Sequence, residues 1–266
     1  MKIGVVGCAG RMGRMLVAEI LTNEKCELAG GTEMAGSPAI GQDVAVLAGG
    51  KESGLLVSDD AGALMAVSDL VIDFTLPDAT AENVRLAAEQ GTAMVIGTTG
   101  LSAEQQALID ALAKKAPVVQ AANMSVGINL LLGLTEQVAK SLGEDFDIEV
   151  LEMHHRHKVD APSGTALALG RAAAAGRDVD LDAVSQRVRD GHTGERKSGD
   201  IGFATLRGGD VAGEHSVIFA GEAERVILSH KATSRAIFVR GAVRAALWAE
   251  GKAPGLYSMR DILGLA

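Results

Sequence analysis

Aromatic side chains are scarce in this chain, at 3% of 266 residues. A protein that binds single-stranded nucleic acid needs stacking platforms, and few are available here. Positive charge is also in deficit: 25 Lys and Arg face 34 Asp and Glu, for a net charge of −9. That balance argues against the basic face of a nucleic-acid binder. Cysteine is limited to Cys8 and Cys26, which form no metal-ligand pattern. With no long uncharged apolar run and no signal-peptide pattern, the expectation is a reduced, cytoplasmic protein without a membrane anchor. Internal repeats and low-complexity tails are absent too.

What is plentiful is glycine, with 33 residues, alongside 47% hydrophobic and 22% charged residues. The latter two figures are ordinary for a soluble globular protein, and the length suits one large domain or two smaller ones. The glycines begin to matter at once. Lys2 to Val6 is a short apolar strand, followed by Gly7-Cys8-Ala9-Gly10-Arg11-Met12-Gly13. Arg14 to Thr22 then shows apolar residues at helical spacing. Strand, glycine turn and helix make a dinucleotide-binding opening, because a pyrophosphate needs close backbone approach and a helix N-terminus. The spacing G-x-x-G-x-x-G is less specific than the commoner G-x-G-x-x-G. A second strand, Cys26 to Thr32, ends in Glu33, about twenty residues after the last glycine, where a carboxylate grips ribose hydroxyls.

Further strands are expected at Asp69 to Phe74, Ala93 to Ile96 and Val118 to Ala121, with a helix from Pro77 to about Gln90. Ala35 to Gly54 gives weak signals and reads as a loop with short structure. Ser102 and Gln105 form a capping box for another helix. Two of the strands run into Gly97-Thr98-Thr99-Gly100 and Ala122-Asn123-Met124-Ser125. Small or polar residues at strand ends are what a cofactor crevice in an open α/β sheet requires.

The densest chemistry lies at His154-His155-Arg156-His157-Lys158, just before Ala161-Pro162-Ser163-Gly164-Thr165 and an Ala-Leu helix from Ala166 to Ala175. Pro162 suits a helix's first turn, leaving the N–H groups of Ser163, Gly164 and Thr165 to bind an anion. Proton donors, a fixed positive charge and an anion cradle together suit reduction or proton transfer on a small carboxylate. A metal site would need His155 and His157 on one strand face, but Lys158 repels a cation and no cysteine is near. No metal is therefore expected. Spacing alone does not choose among the histidines.

A helix from Val126 to Leu142 marks the domain change, and Asp147 to Met153 is the strand that delivers the histidines. From Ser185 to Ala232 the pattern becomes β, in runs at Ile201 to Arg207, Ser216 to Ala220 and Arg225 to His230. These runs are apolar on both faces, and few helices remain to cover them, so a partner subunit is the expected cover. Gly191 to Gly199 reads as a mobile polar loop or a solvated turn. The helix of Ser234 to Trp248 should rejoin the first domain. The expected fold is α/β: a Rossmann-like dinucleotide domain of residues 1–125 and 235–266, and an α+β domain of residues 126–234. The second carries an open mixed sheet for substrate binding and oligomerisation.

The histidine segment, with the opening glycines, resembles the dihydrodipicolinate reductase family. The likeness spans nearly the whole chain and includes Ile72-Asp73-Phe74-Thr75, Gly191 to Arg196 and Ile201 to Thr205. The segment His154 to Thr165 is its specific part. The resemblance implies NAD(P)H-dependent reduction of a cyclic imine dicarboxylate, with His154 as acid/base and Lys158 as proton donor. It implies that His155, Ser163, Gly164 and Thr165 hold carboxylates. Gly7, Cys8, Ala9, Gly10, Arg11, Met12, Glu33, Gly97, Thr98, Thr99, Ala121, Ala122, Asn123 and Met124 would line NADH or NADPH. It also implies a homotetramer. The chain departs at Met34, where some members carry an arginine that meets the NADP 2′-phosphate, and at Met124, where an aromatic is common. NADH is accordingly expected to serve at least as well as NADPH. Two other readings are a dehydrogenase of another amino dicarboxylate and a nicotinamide-sensing regulator without turnover.

Overall fold

The computed structural model describes residues 1–265. By internal contacts the chain divides into two units, Met1–Val126 with Ala236–Gly264, and Gly127–Arg235 with Leu265.

The chain opens with β1 (Lys2–Val6), α1 (Arg11–Thr22) and β2 (Glu27–Thr32). It continues through α2 (Val44–Leu47), α3 (Ala61–Val67), β3 (Leu70–Asp73) and α4 (Pro77–Gln90). Then come β4 (Ala93–Ile96), α5 (Ala103–Ala113) and β5 (Pro117–Gln120). α6 (Val126–Leu142) leads to β6 (Asp147–His154), α7 (Gly164–Gly176), α8 (Leu181–Val184) and β7 (Ser185–Gln186). Three longer strands follow: β8 (Ile201–Arg207), β9 (Gly213–Ala220) and β10 (Arg225–Ala232). The last elements are α9 (Ala236–Ala249), β11 (Gly255–Tyr257) and α10 (Met259–Leu263).

In the first unit the strand order is β11-β5-β4-β3-β1-β2, and every pair is parallel. Leu70, Val71 and Ile72 are fully buried, as uninterrupted apolar runs must be in a sheet covered on both faces. α9 contributes Val239, Ala242, Val243 and Ala246 to the core that holds Val5, Ile72 and Val95. The Rossmann-like reading holds. α3 and β11 are additions to it, and α2 fills part of the segment with weak signals. The short helices rest on caps rather than on apolar periodicity. Asp43 accepts from the N–H groups of Ala45, Val46, Ser53 and Gly54, and Asp60 accepts from Ala63.

The second unit has a mixed sheet, β10-β9-β6-β8-β7. β6 is parallel to β8 and antiparallel to β9. α6 and α7 cover one face, where Leu131, Leu169 and Ala173 pack on Ile148, Val150, Phe203, Val217 and Phe219. The expected need for cover on both faces is thus half met within the chain. On the other face Leu206 and Ile227 remain 48% and 55% exposed. Among the described residues no helix is long and apolar enough to cross a membrane.

Candidate active site

Gly7 takes a positive φ of 67°, turning the chain from β1 toward α1. Gly13 lets the helix approach that turn, since a Cβ there would stand 2.1 Å from the Gly7 carbonyl oxygen. Gly10 is the N-cap of α1 and offers no side chain to its N–H groups, so the helix start is left for a ligand. A groove of about 770 Å3 runs beside it, lined by Gly7, Gly10, Glu33, Met34, Phe74 and Thr75 among others. An uncapped helix start, a glycine turn and a carboxylate rim fit a dinucleotide. Glu33 also works within the loop, its Oε1 accepting from the Ala9 N–H at 2.8 Å. Arg14, not singled out in the sequence, donates from Nε to the Ala9 carbonyl.

Some expected cofactor contacts are brought together and others are not. Arg11 is exposed at the first position of α1 and Met12 is half-buried. The Cys8 side chain is buried beneath the turn against Gly31, and burial pushes its thiol up to about 11. Met124 is likewise a core residue, 1% exposed, so only the backbone at these two positions is left to meet a ligand. Gly97, Thr98, Thr99 and Ala121 to Met124 do not line the groove. Gly97 shapes it indirectly: a Cβ there would fall 2.2 Å from the Phe74 ring. Thr98 joins a buried cluster in which Asp73 accepts from Thr75, Asn83 and Thr98, and Thr80 donates to Thr98.

The histidine site is built on strand alternation. Along β6, Ile148, Val150, Glu152 and His154 share the helix-covered face. The register sets Val150 beside Phe203 and Val217, Glu152 beside Thr205 and His215, and His154 beside Arg207. That face therefore runs from apolar to ionic along three neighbouring strands. Glu152 Oε2 lies 2.6 Å from His154 Nδ1. Both Glu152 oxygens accept from Arg207, at 2.7 and 2.9 Å. Burial pushes the Glu152 carboxyl up, but hydrogen bonds from Arg207, His154 and the Ser163 N–H hold it below the usual range. His215 packs edge-on to His154, ring centroids 5.0 Å apart, and its Nε2 lies 3.1 Å from Ser163 Oγ. Burial, with repulsion from His154 adding to it, pushes His215 down to about 4.

Two expectations at this helix start are corrected. Pro162 precedes the helix rather than occupying its first turn, because Ser163 is the N-cap and accepts from the Ala166 N–H. Nor is the Ser163 N–H left for an anion, since it donates to Glu152 Oε1 at 2.9 Å. Gly164 stays exposed, with nothing near the place a Cβ would take, and Thr165 follows in the first turn. β6 ends at His154, so His155 and His157 lie beyond it and not on one strand face. The His155 N–H is tied to the Val211 carbonyl. Lys158 Nζ meets Asp160 at 2.8 Å. The polar loop before β8 is tied down: Arg196 reaches Asp147 and Glu149, and Arg189 pairs with both Glu149 oxygens. Among the described residues no three His, Cys, Asp or Glu side chains gather to hold a metal.

A parallel sheet entered through a glycine turn, with an acid at the second strand's end and buried histidine chemistry elsewhere, defines a dinucleotide-dependent oxidoreductase. The family model described as dihydrodipicolinate reductase, N-terminus, matches residues 1–124, and its C-terminus counterpart matches 127–263. The chain belongs to the dihydrodipicolinate reductase family. It is 57% identical over 266 residues to a 4-hydroxy-tetrahydrodipicolinate reductase of Rhodopseudomonas palustris strain HaA2, covering 100% of this chain and 98% of that one. The reductase of that name from Afipia carboxidovorans is 58% identical over 265 residues, covering 100% and 97%. The dipicolinate-bound dihydrodipicolinate reductase from Paenisporosarcina sp. TG-14 shares the fold, with a TM-score of 0.76, 24% identity and 97% of each chain covered. Full-length identity to reductases does not favour the other dehydrogenase or the sensing regulator.

Proposed function

We propose that this chain reduces 4-hydroxy-tetrahydrodipicolinate to tetrahydrodipicolinate in the diaminopimelate route to lysine, as a cytoplasmic NAD(P)H-dependent enzyme. The observation that carries the reading is the buried His154, joined to Glu152 and followed by Lys158 and the α7 start, in a chain 57% identical to a reductase of that name. Gly7, Gly10, Arg11 and Glu33 hold the cofactor, which supplies the hydride when bound. In the second unit Gly164, Thr165 and His155 hold the substrate's carboxylates, Lys158 serves as a proton donor, and His154 delivers the proton that completes reduction. The dipicolinate bound to the Paenisporosarcina protein is a dicarboxylate of this kind. A positioned acid is worth about a hundredfold or more.

The test is a coupled assay with the imine freshly made from pyruvate and aspartate semialdehyde. His154→Ala and Lys158→Ala should each lower turnover about a hundredfold while the cofactor still binds. The two losses should be markedly non-additive if one proton-transfer step uses both. Near-normal turnover in either variant removes that residue's role.

Two finer readings go with this. NADH serves at least as well as NADPH, because the groove is rimmed by Glu33, Asp59, Asp60 and Glu82, with uncharged Met34 beside Glu33. Those carboxylates repel a 2′-phosphate, and Arg11 is left to offset them. The assembly is a homotetramer built through the open face of the second unit's sheet, where Leu206 and Ile227 are exposed.

A further inference from the structure

We infer that Glu152 is a positioning residue for His154 and fixes which ring nitrogen exchanges a proton with the substrate; this rests on the proposed acid role of His154. Glu152 is 1% exposed and cannot turn freely. Arg207 on β8 grips both of its oxygens, the Ser163 N–H ahead of α7 holds Oε1, and Thr205 approaches Oε1 at 3.5 Å. An ionised carboxylate only accepts hydrogen bonds, so the 2.6 Å contact requires the proton on His154 Nδ1. Nε2 is then the nitrogen left for chemistry. On its side the chain carries Gly213, where a Cβ would come within 3.0 Å of Nε2. The neighbouring His215 is occupied by Ser163 through its own Nε2.

The proton balance follows from this arrangement. The His154 Nε2–H bond breaks and the substrate gains that proton. The ring is left neutral with Nδ1–H still on Glu152, and water returns a proton to Nε2. Glu152 takes no proton itself. Without its carboxylate, the neutral ring would divide between two tautomers, and in one of them Nδ1 would stand bare while Nε2 already held the proton.

Long-range proton–nitrogen spectra of the ¹⁵N-labelled protein, taken with the ring neutral and assigned with His154→Ala, read the tautomer directly. The unmodified enzyme should show His154 protonated at Nδ1 and bare at Nε2, a result that needs no variant to fold. Glu152→Gln should give mixed tautomers and a kcat lower by about ten- to a hundredfold, with KM within about twofold. A bare Nδ1 in the unmodified enzyme overturns the inference. So does a Glu152→Gln enzyme with unchanged kcat and tautomer while His154→Ala is inactive. Full turnover in His154→Ala overturns instead the acid role on which the inference rests.

Discussion

His215 is neutral in the fold at pH 7 because burial opposes its charge. An unfolded imidazole takes up its proton near 6.5, whereas this one does so only near 4. Between those values the unfolded chain binds a proton that the native chain refuses, so the stabilisation is complete above about 6.5 and lost as pH falls toward 4. A displacement of that size amounts to about 3 kcal/mol. Urea midpoints from pH 7 to 4.5 should fall steeply for the unmodified protein and less steeply for His215→Gln; parallel curves would refute this. At Met34, 77% exposed beside Glu33, an arginine adds the missing charge. Met34→Arg should raise kcat/KM for NADPH about ten- to a hundredfold and leave NADH little changed. The segment His154 to Lys158 was legible as a place for chemistry because its residues crowd together, whereas the roles proposed for His154 and Lys158 came from the family resemblance. Glu152, Arg207 and His215 were not, because only the pairing of neighbouring strands brings Arg207, 55 positions away, and His215 to Glu152. A signal did exist: Glu152 and His154 continue the parity of Ile148 and Val150.

The end of β4 shows how one missing side chain sets the shape of an element's surroundings. An added methyl at Gly97 would overlap the Phe74 ring that lines the dinucleotide groove. Gly97→Ala should destabilise the protein by about 1–3 kcal/mol in denaturant unfolding and weaken cofactor binding, and Phe74→Leu should restore part of both. If Gly97→Ala matches the unmodified protein in both measurements, the close packing is not what requires glycine. Long elements with a clear period, such as α4, α6 and α9, were readable from the chain alone, and α5 was marked by the Ser102–Gln105 capping box. α3 and β11 escaped because they hold seven and three residues. Elements that short exist through caps and sheet pairing, which local periodicity does not record.

At the scale of the whole molecule, the open face of the second sheet is the feature that asks for a partner. Light scattering should report a tetramer for the unmodified chain, and Leu206→Glu with Ile227→Glu should reduce its mass. A stable, active monomer from the unmodified chain would discard the assembly reading. The return of α9 to the first unit was legible because an α/β sheet short of cover needs a helix there. That return has a consequence for the order of synthesis. Leu265 aside, the second unit is one continuous stretch, whereas the first lacks α9 and β11 until the residues after Arg235 are made. Val5, Ile72 and Val95 must therefore wait for Ala242 and Val243 before their shared core closes. On a ribosome adding roughly 5–20 residues per second, that wait spans more than a hundred residues of chain, so the domain begun first is finished last.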